Sequence, residues 1–236
     1  MLNFKKMEAL PVRTQHTLQN SDDTQIKTTN SLKYLGCLLD ENGQLTGELK
    51  RRIAMARDDF NQLAKVWNHA SVAVKTKSAV YQQCILSKLL YGLESAWLTK
   101  HDKKLLDSFH IRCLRKIYGI SHSMISRVSN QFILHLYGTI PLSSLLLRRQ
   151  LNLYGKIARL SSTALIRKLV LQENEYTALK ITDRKQGRPR LQWASELEKI
   201  VENMLPEAAN RERYFLNKEL WTSKVWQFTE LYHTNT

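Results

Sequence analysis

Residues 49–67 read LKRRIAMARDDFNQLAKVW. Leu49, Ile53, Ala56, Phe60, Leu63 and Trp67 recur at steps of 4, 3, 4, 3 and 4, which puts all six on one face of a helix from about residue 46 to 68. Lys50, Arg51, Arg57 and Asp58 fall off that stripe. Periodicity of this length belongs to a helix and not to a strand, so the stretch sets the expected fold class as mainly α.

Working outward, Ser71 can cap a second helix to about Tyr91, with Val80, Cys84 and Leu89 inward and Gly92 as its stop. Thr99, with Asp102 three residues on, resembles a capping box. The third helix then turns Leu105, Phe109, Cys113 and Tyr118 inward. Leu106, Leu114 and Ile117 widen that face, and Gly119 lies just past its end. Three amphipathic helices with short links make a bundle over residues 44–120.

Before the bundle, residues 7–12, 24–29 and 32–39 read as short strands, and Asp40-Glu41-Asn42-Gly43 as a turn. Pro11 confines the first to a sheet edge. Residues 1–43 are therefore expected to be a small β hairpin or remnant sheet. After the bundle, a helical extension over 121–171 holds a short helix from Ser129 to Tyr137, ended by Gly138. A longer helix from Pro141 to about Leu160 has Leu145, Leu146, Leu153 and Ile157 as its apolar side. A polar linker over 172–189 precedes C-terminal helices over 190–236, one from Arg190 to Met204 and one from Asn217 with Trp221, Val225, Phe228 and Tyr232 on its face.

Composition agrees with a helical reading. The 236 residues are 43% hydrophobic, with only 8 Gly and 4 Pro, and the mean hydropathy is −0.39. Cys37, Cys84 and Cys113 are an odd, widely spaced set that implies no disulfide framework and suits a reducing compartment. Lys5 and Lys6 have no apolar run behind them, so no signal peptide is expected, and the apolar segment from Cys84 to Tyr91 is too short to span a bilayer. These points favour an intracellular chain, nuclear or cytoplasmic.

Charge is the feature that points to function. The chain carries a formal +15, and residues 48–160 hold 19 Lys and Arg against 6 Asp and Glu. Residues 1–47 balance, and residues 191–236 are net −2. A solvated helix face is the bland reading, but six acids cannot neutralise nineteen cations. A polyanion can, because each phosphate met by Lys or Arg releases counterions. Lys50, Arg51, Arg57, Lys103, Lys104, Arg112, Arg115, Arg148 and Arg149 are the candidate contacts. Arg52, Lys100, Lys116, Lys156 and Arg159 lie in the same clusters. Lys100, Lys103 and Lys104 open a helix, where the macrodipole disfavours cations, so an external anion is implied.

Gly187-Arg188-Pro189-Arg190 resembles an AT-hook core, which would add Arg188 and Arg190. The plainer alternative, a linker whose Pro189 opens the next helix, is preferred. The histidines and cysteines show no ligand spacing, with Cys113 read as core and His110 as a boundary residue, so no metal site and no cofactor is expected. No phosphate-cradling loop or nucleophile motif is present.

Several motifs together resemble one family. Leu2-Asn3-Phe4-Lys5-Lys6-Met7-Glu8, Leu32-Lys33-Tyr34-Leu35-Gly36 and Glu48 to Ala54 come first. Leu89-Leu90-Tyr91-Gly92-Leu93-Glu94, Arg112-Cys113-Leu114-Arg115-Lys116-Ile117, Leu153-Tyr154-Gly155-Lys156 and Gly187-Arg188-Pro189 with Trp193 follow in order. Over about residues 1–195 they are similar to the end of a reverse transcriptase of the LINE-type, non-LTR retrotransposon kind.

The resemblance implies the last palm motif at Asn3 to Lys6, a primer grip at Tyr34, Leu35 and Gly36, and a thumb in the helical bundle that clamps template–primer duplex. It also implies that the catalytic aspartates, which hold Mg²⁺ in such polymerases, lie outside this chain, so the chain is expected to be inactive alone. Gly155-Lys156 stands where relatives commonly carry Gly-His. The expected partner is an RNA–DNA or DNA duplex. The alternatives are a helical module docking on a protein through Trp193, Trp221, Trp226 and Phe228, or a decayed remnant of the element.

Overall fold

A computed structural model describes residues 7–12, 18–19, 24–41, 43, 45–173, 175–179 and 192–232. Among them the chain is mainly α, with two two-stranded β elements at its N-terminal end. β1 (Glu8–Ala9) and β2 (Lys27–Thr28) pair in parallel, joined by a Lys27–Glu8 ion pair at 2.8 Å. β3 (Ser31–Tyr34) and β4 (Cys37–Asp40) form an antiparallel hairpin. The stretch 32–39 thus folds back on itself at Leu35 and Gly36, which both take positive φ, 46° and 85°. Two successive left-handed residues give the twist that a two-residue hairpin needs. The expected turn after Asp40 also forms, the Gly43 amide donating to the Asp40 carbonyl at 2.9 Å.

The stretch that opened the reading forms α1 (Thr46–Gln62) and α2 (Ala64–Asn68), interrupted only at Leu63. Leu49, Ile53, Ala56, Phe60 and Trp67 are buried as the spacing requires. Trp67 stacks on Phe60 at 4.8 Å between centroids, and its indole N–H donates to the Phe60 carbonyl at 2.7 Å.

The next rod comprises α3 (Val74–Val80), a π-helical turn (Tyr81–Leu86) and α4 (Ser87–Leu90). The π turn corrects the expected face. One extra residue in the turn shifts the inward side to Tyr81, Ile85, Leu86, Leu89 and Leu90, and leaves Cys84 exposed and Val80 half-buried. Gly92, at φ 72°, ends the rod as expected.

α5 (Lys100–Tyr118) has the full capping box. The Thr99 hydroxyl accepts from the Asp102 amide at 3.2 Å, the Asp102 carboxylate accepts from the Thr99 amide at 3.3 Å, and Gly119 closes the helix. His110 departs from the expectation. It lies in the core, with Nδ1 3.0 Å from the Tyr81 hydroxyl and the two rings stacked, because the π turn presents Tyr81 to α5.

α6 (Ser123–Ser126), α7 (Asn130–Tyr137) and α8 (Leu142–Ala158) follow. α7 is capped by Ser129 and ended by Gly138, as the sequence indicated. α9 (Leu165–Val170), α10 (Trp193–Met204), α11 (Ala208–Leu216) and α12 (Lys218–Tyr232) complete the chain. α11 was not anticipated. The Asn217 side chain accepts from the Glu219 and Leu220 amides and starts α12 afresh.

Burial divides into two cores. The first gathers α1 to α5 with Ile133, Leu142 and Leu146. The second gathers Leu147, Leu151 and Tyr154 with Leu197, Val201, Phe215, Trp221 and Val225. α8 serves both, so it buries residues on more than one side. Leu142, Leu147, Leu151 and Tyr154 join Leu146 and Ile157, while Leu145 and Leu153 are half-buried. Asp107 on α5 fastens its start, accepting from the Ser143 amide at 2.8 Å and the Ser143 hydroxyl at 2.7 Å. The front of the expected linker is ordered too: Leu171 bridges to Ala178 and Tyr176 stacks on Phe215 at 5.0 Å. Arg188, Arg190 and the rest of the AT-hook-like segment lie outside the described residues, as does the Asn3–Lys6 motif.

Candidate nucleic-acid interface

The nineteen central cations separate into those that hold the fold and those that face water. Glu48 organises the first group. Its carboxylate accepts from the Arg51 guanidinium at 2.8 and 2.9 Å, from Arg52, and from the Leu38 amide at 3.1 Å. Burial pushes the Glu48 carboxyl up, but the Arg51, Leu38 and Arg52 bonds outweigh it and leave it below its usual value. Arg51 also donates to the Gly36 carbonyl at 2.7 Å, and buried Arg52 reaches the Lys88 carbonyl at 3.0 Å and the Cys37 sulfur at 3.2 Å. This knot ties the β3–β4 turn to the head of α1, with Tyr34, Leu35 and Gly36 left exposed.

Arg115 lies inside the protein. It is 5% exposed and donates to the carbonyls of Ser121 (2.9 Å) and Val128 (2.6 Å), the Ser126 hydroxyl (3.3 Å) and the Asn130 side chain (3.0 Å). It is therefore a scaffold for the turn after α5, and the expected phosphate contact is corrected: both terminal nitrogens of its guanidinium are committed to that turn. Arg148 is likewise engaged. It donates to the Thr229 hydroxyl and the Glu230 carboxylate, both at 2.8 Å, and its guanidinium lies 3.7 Å over the Trp226 ring. Lys103 rests 4.3 Å over the Trp97 ring, and burial depresses its ammonium despite the pull of Glu196 and Asp107.

The second group is exposed. Lys104, Arg112 and Lys116 sit with Ser108 at four-residue steps along α5, an oblique ridge about 18 Å long that winds about 120° around the helix. On α1, Lys50 and Arg57 are two turns apart on one exposed face. The two helices pack against each other, and the Arg57, Arg112 and Lys116 charges all act on the buried Cys113 thiol. Burial lifts that thiol to about 12 in spite of them. Arg149 is exposed on α8. None of Lys50, Arg57, Lys104, Arg112, Lys116 and Arg149 has a carboxylate partner among the described residues.

The acids of this block are mostly internal. Glu48 and Asp102 are buried, Asp107 caps α8, Glu94 is half-buried and Asp59 pairs with Lys88 at 2.9 Å. Asp58 alone of the six is exposed. Exposed cations of the block thus outnumber exposed acids twelve to one, against nineteen to six in the sequence. A signal for this lies in the chain itself: residues 108–172 contain no Asp or Glu. That stretch adds one residue the sequence reading passed over, Arg127, which is exposed in the turn after α6.

The C-terminal aromatics do not form an exposed anchor. Trp221 is buried, Trp193 is half-buried with its indole N–H on the Glu94 carbonyl at 2.9 Å, and Phe228 is half-buried. Only Trp226 of the four is exposed, under the Arg148 guanidinium. No group of three or more His, Cys, Asp or Glu among the described residues is placed to hold a metal ion, and no described helix is long and apolar enough to cross a membrane. Comparison with protein-family models, with curated proteins and with solved structures finds no match to this chain.

Proposed function

We propose that this chain is a non-catalytic clamp for a nucleic-acid duplex, RNA–DNA or DNA, acting as the thumb-like part of a retrotransposon-type reverse transcriptase. The observation that carries the proposal is the row Lys104–Arg112–Lys116 on α5, with Arg57 and Lys50 exposed on the neighbouring α1 and every nearby acid but Asp58 turned inward or paired. An oblique ridge of unpaired cations that winds partly around α5 suits a strand of phosphates, and it reads backbone, not sequence. The exposed β3–β4 turn, held by Arg51, is assigned to the strand end in the role of a primer grip. The polymerase chemistry itself belongs to aspartates this chain does not supply.

Five phosphate contacts give a slope of log affinity against log salt of roughly −4 to −5 for a duplex. Fluorescence anisotropy with a labelled duplex between about 50 and 200 mM salt measures it. Lys104→Glu and Lys116→Glu should each flatten the slope by about one and weaken unrelated sequences equally. Affinity indifferent to salt refutes the clamp. Loss confined to one sequence refutes backbone reading in favour of base contacts.

A further inference from the structure

Met124 and Ile125 are 80% and 77% exposed, the most exposed of the large apolar side chains among the described residues. They stand on α6, in the turn that the Arg115 guanidinium grips at Ser121, Ser126, Val128 and Asn130. Further bonds stiffen the turn: the His122 carbonyl accepts from the Ile125 and Ser126 amides, both at 2.9 Å, and the Ser123 carbonyl from the Arg127 amide at 2.9 Å. Arg127 closes it in a left-handed conformation, φ 58°, that a non-glycine residue adopts only when its surroundings impose it. Burying a guanidinium is costly unless its N–H groups are matched, so this turn is built for rigidity. A rigid turn that holds two apolar side chains away from the protein leaves them available to something else.

The surroundings identify that something by charge. Lys116 is the residue after Arg115 on α5, Arg127 follows Ser126, and no acid occurs between residues 108 and 172. We propose that Met124 and Ile125 form an apolar wedge that enters a base step of the bound duplex, with Lys116 and Arg127 on the phosphates to either side. The proposal rests on the clamp reading above and names what the clamp does to its ligand. Apolar wedges of this kind unstack a step for a few kcal/mol and are repaid by the added contacts of a bent duplex.

The test uses the full chain, a duplex with 2-aminopurine at an internal pyrimidine–purine step, and the double variant Met124→Ser/Ile125→Ser. The native chain should raise the probe's emission roughly threefold as the step unstacks. The variant should lose that rise and about tenfold in affinity, with an unchanged salt slope. Its unfolding midpoint should match the native one, because both side chains are exposed. A midpoint several degrees lower would show that they pack within the protein and would overturn the wedge.

Absence of salt-dependent binding by the native chain overturns the clamp and the wedge together. Salt-dependent binding with flat emission, and equal affinity for both proteins, overturns the wedge alone. Vesicles of phosphatidylserine and phosphatidylcholine supply the third arm. If the variant loses vesicle binding while duplex binding is unaltered, the knob belongs to a lipid surface and the proposal falls.

Discussion

Gly155 sits where α8 meets α12, and a methyl group there has no room. A Cβ built on Gly155 would lie 2.3 Å from the Trp221 Nε1, 2.5 Å from its Cε2 and 2.8 Å from its Cδ1. Carbon contacts are comfortable near 3.5–4.0 Å, so Gly155→Ala has to move the indole by about 1 Å. Trp221 cannot move freely. It is fully buried, stacks on Phe215 at 4.6 Å and donates its indole N–H to the Leu151 carbonyl at 3.1 Å. Overpacking of a tight core costs about 1–3 kcal/mol, and losing the indole hydrogen bond costs about 1 more.

The expected destabilisation is therefore about 2–4 kcal/mol, or roughly 5–15 °C in the melting midpoint for a chain of this size. Thermal unfolding followed by tryptophan fluorescence and near-ultraviolet circular dichroism measures it. The partner variant Trp221→Leu leaves a cavity that the alanine methyl partly fills, so Gly155→Ala/Trp221→Leu should be at least about 1 kcal/mol better than the sum of the single changes. A Gly155→Ala melt within about 0.5 kcal/mol of native, or an additive cycle, would refute the close packing of these two helices.

Acid stability should report on His110, whose burial lowers it to about 4. The unfolded chain protonates first, near pH 6.5, so this contribution is full above that pH and is lost as pH falls toward 4, by about 3 kcal/mol. His110→Phe should remove that slope, and urea midpoints from pH 4 to 7 that run parallel for the two proteins would contradict it. Arg115→Met strips four acceptors of their donor and should cost about 2–4 kcal/mol in chemical denaturation, with faster amide exchange over residues 121–130 than elsewhere. Glu48→Gln leaves buried Arg52 without its counter-charge and should cost about 3 kcal/mol, with protease sensitivity rising first in the β3–β4 hairpin. Leu35→Asn relieves a left-handed non-glycine residue and should stabilise by about 0.5–1 kcal/mol, which a melt of matched preparations can resolve.

The α1 stripe, the Thr99–Asp102 box and the glycine stops at Gly92, Gly119 and Gly138 were legible because each depends on a local spacing or on a backbone angle that few residues accept. What escaped the sequence depends on the third dimension. The π turn moved Cys84 outward with no residue type to announce it. His110 went inside because Tyr81, twenty-nine positions earlier, supplies a hydroxyl for its ring. The candidate interface divides the same way. That the centre is basic could be counted, but Arg115 and Lys116 are adjacent and alike in sequence, and only their angular positions on α5 send one into the core and the other into water. Arg148 and Arg149 part company for the same reason.

The helix from Leu142 to Ala158 limits how the chain can be divided. It is the shared wall of both apolar interiors, Leu142 and Leu146 on one side and Leu147, Leu151 and Tyr154 on the other. Cutting the chain anywhere along that wall strips one interior of its lining. Truncations intended to isolate the basic half must therefore retain Leu142 and Leu146, and those that run to Ala158 will display a bare leucine–tyrosine flank to solvent. The two halves are in this sense one indivisible folding unit.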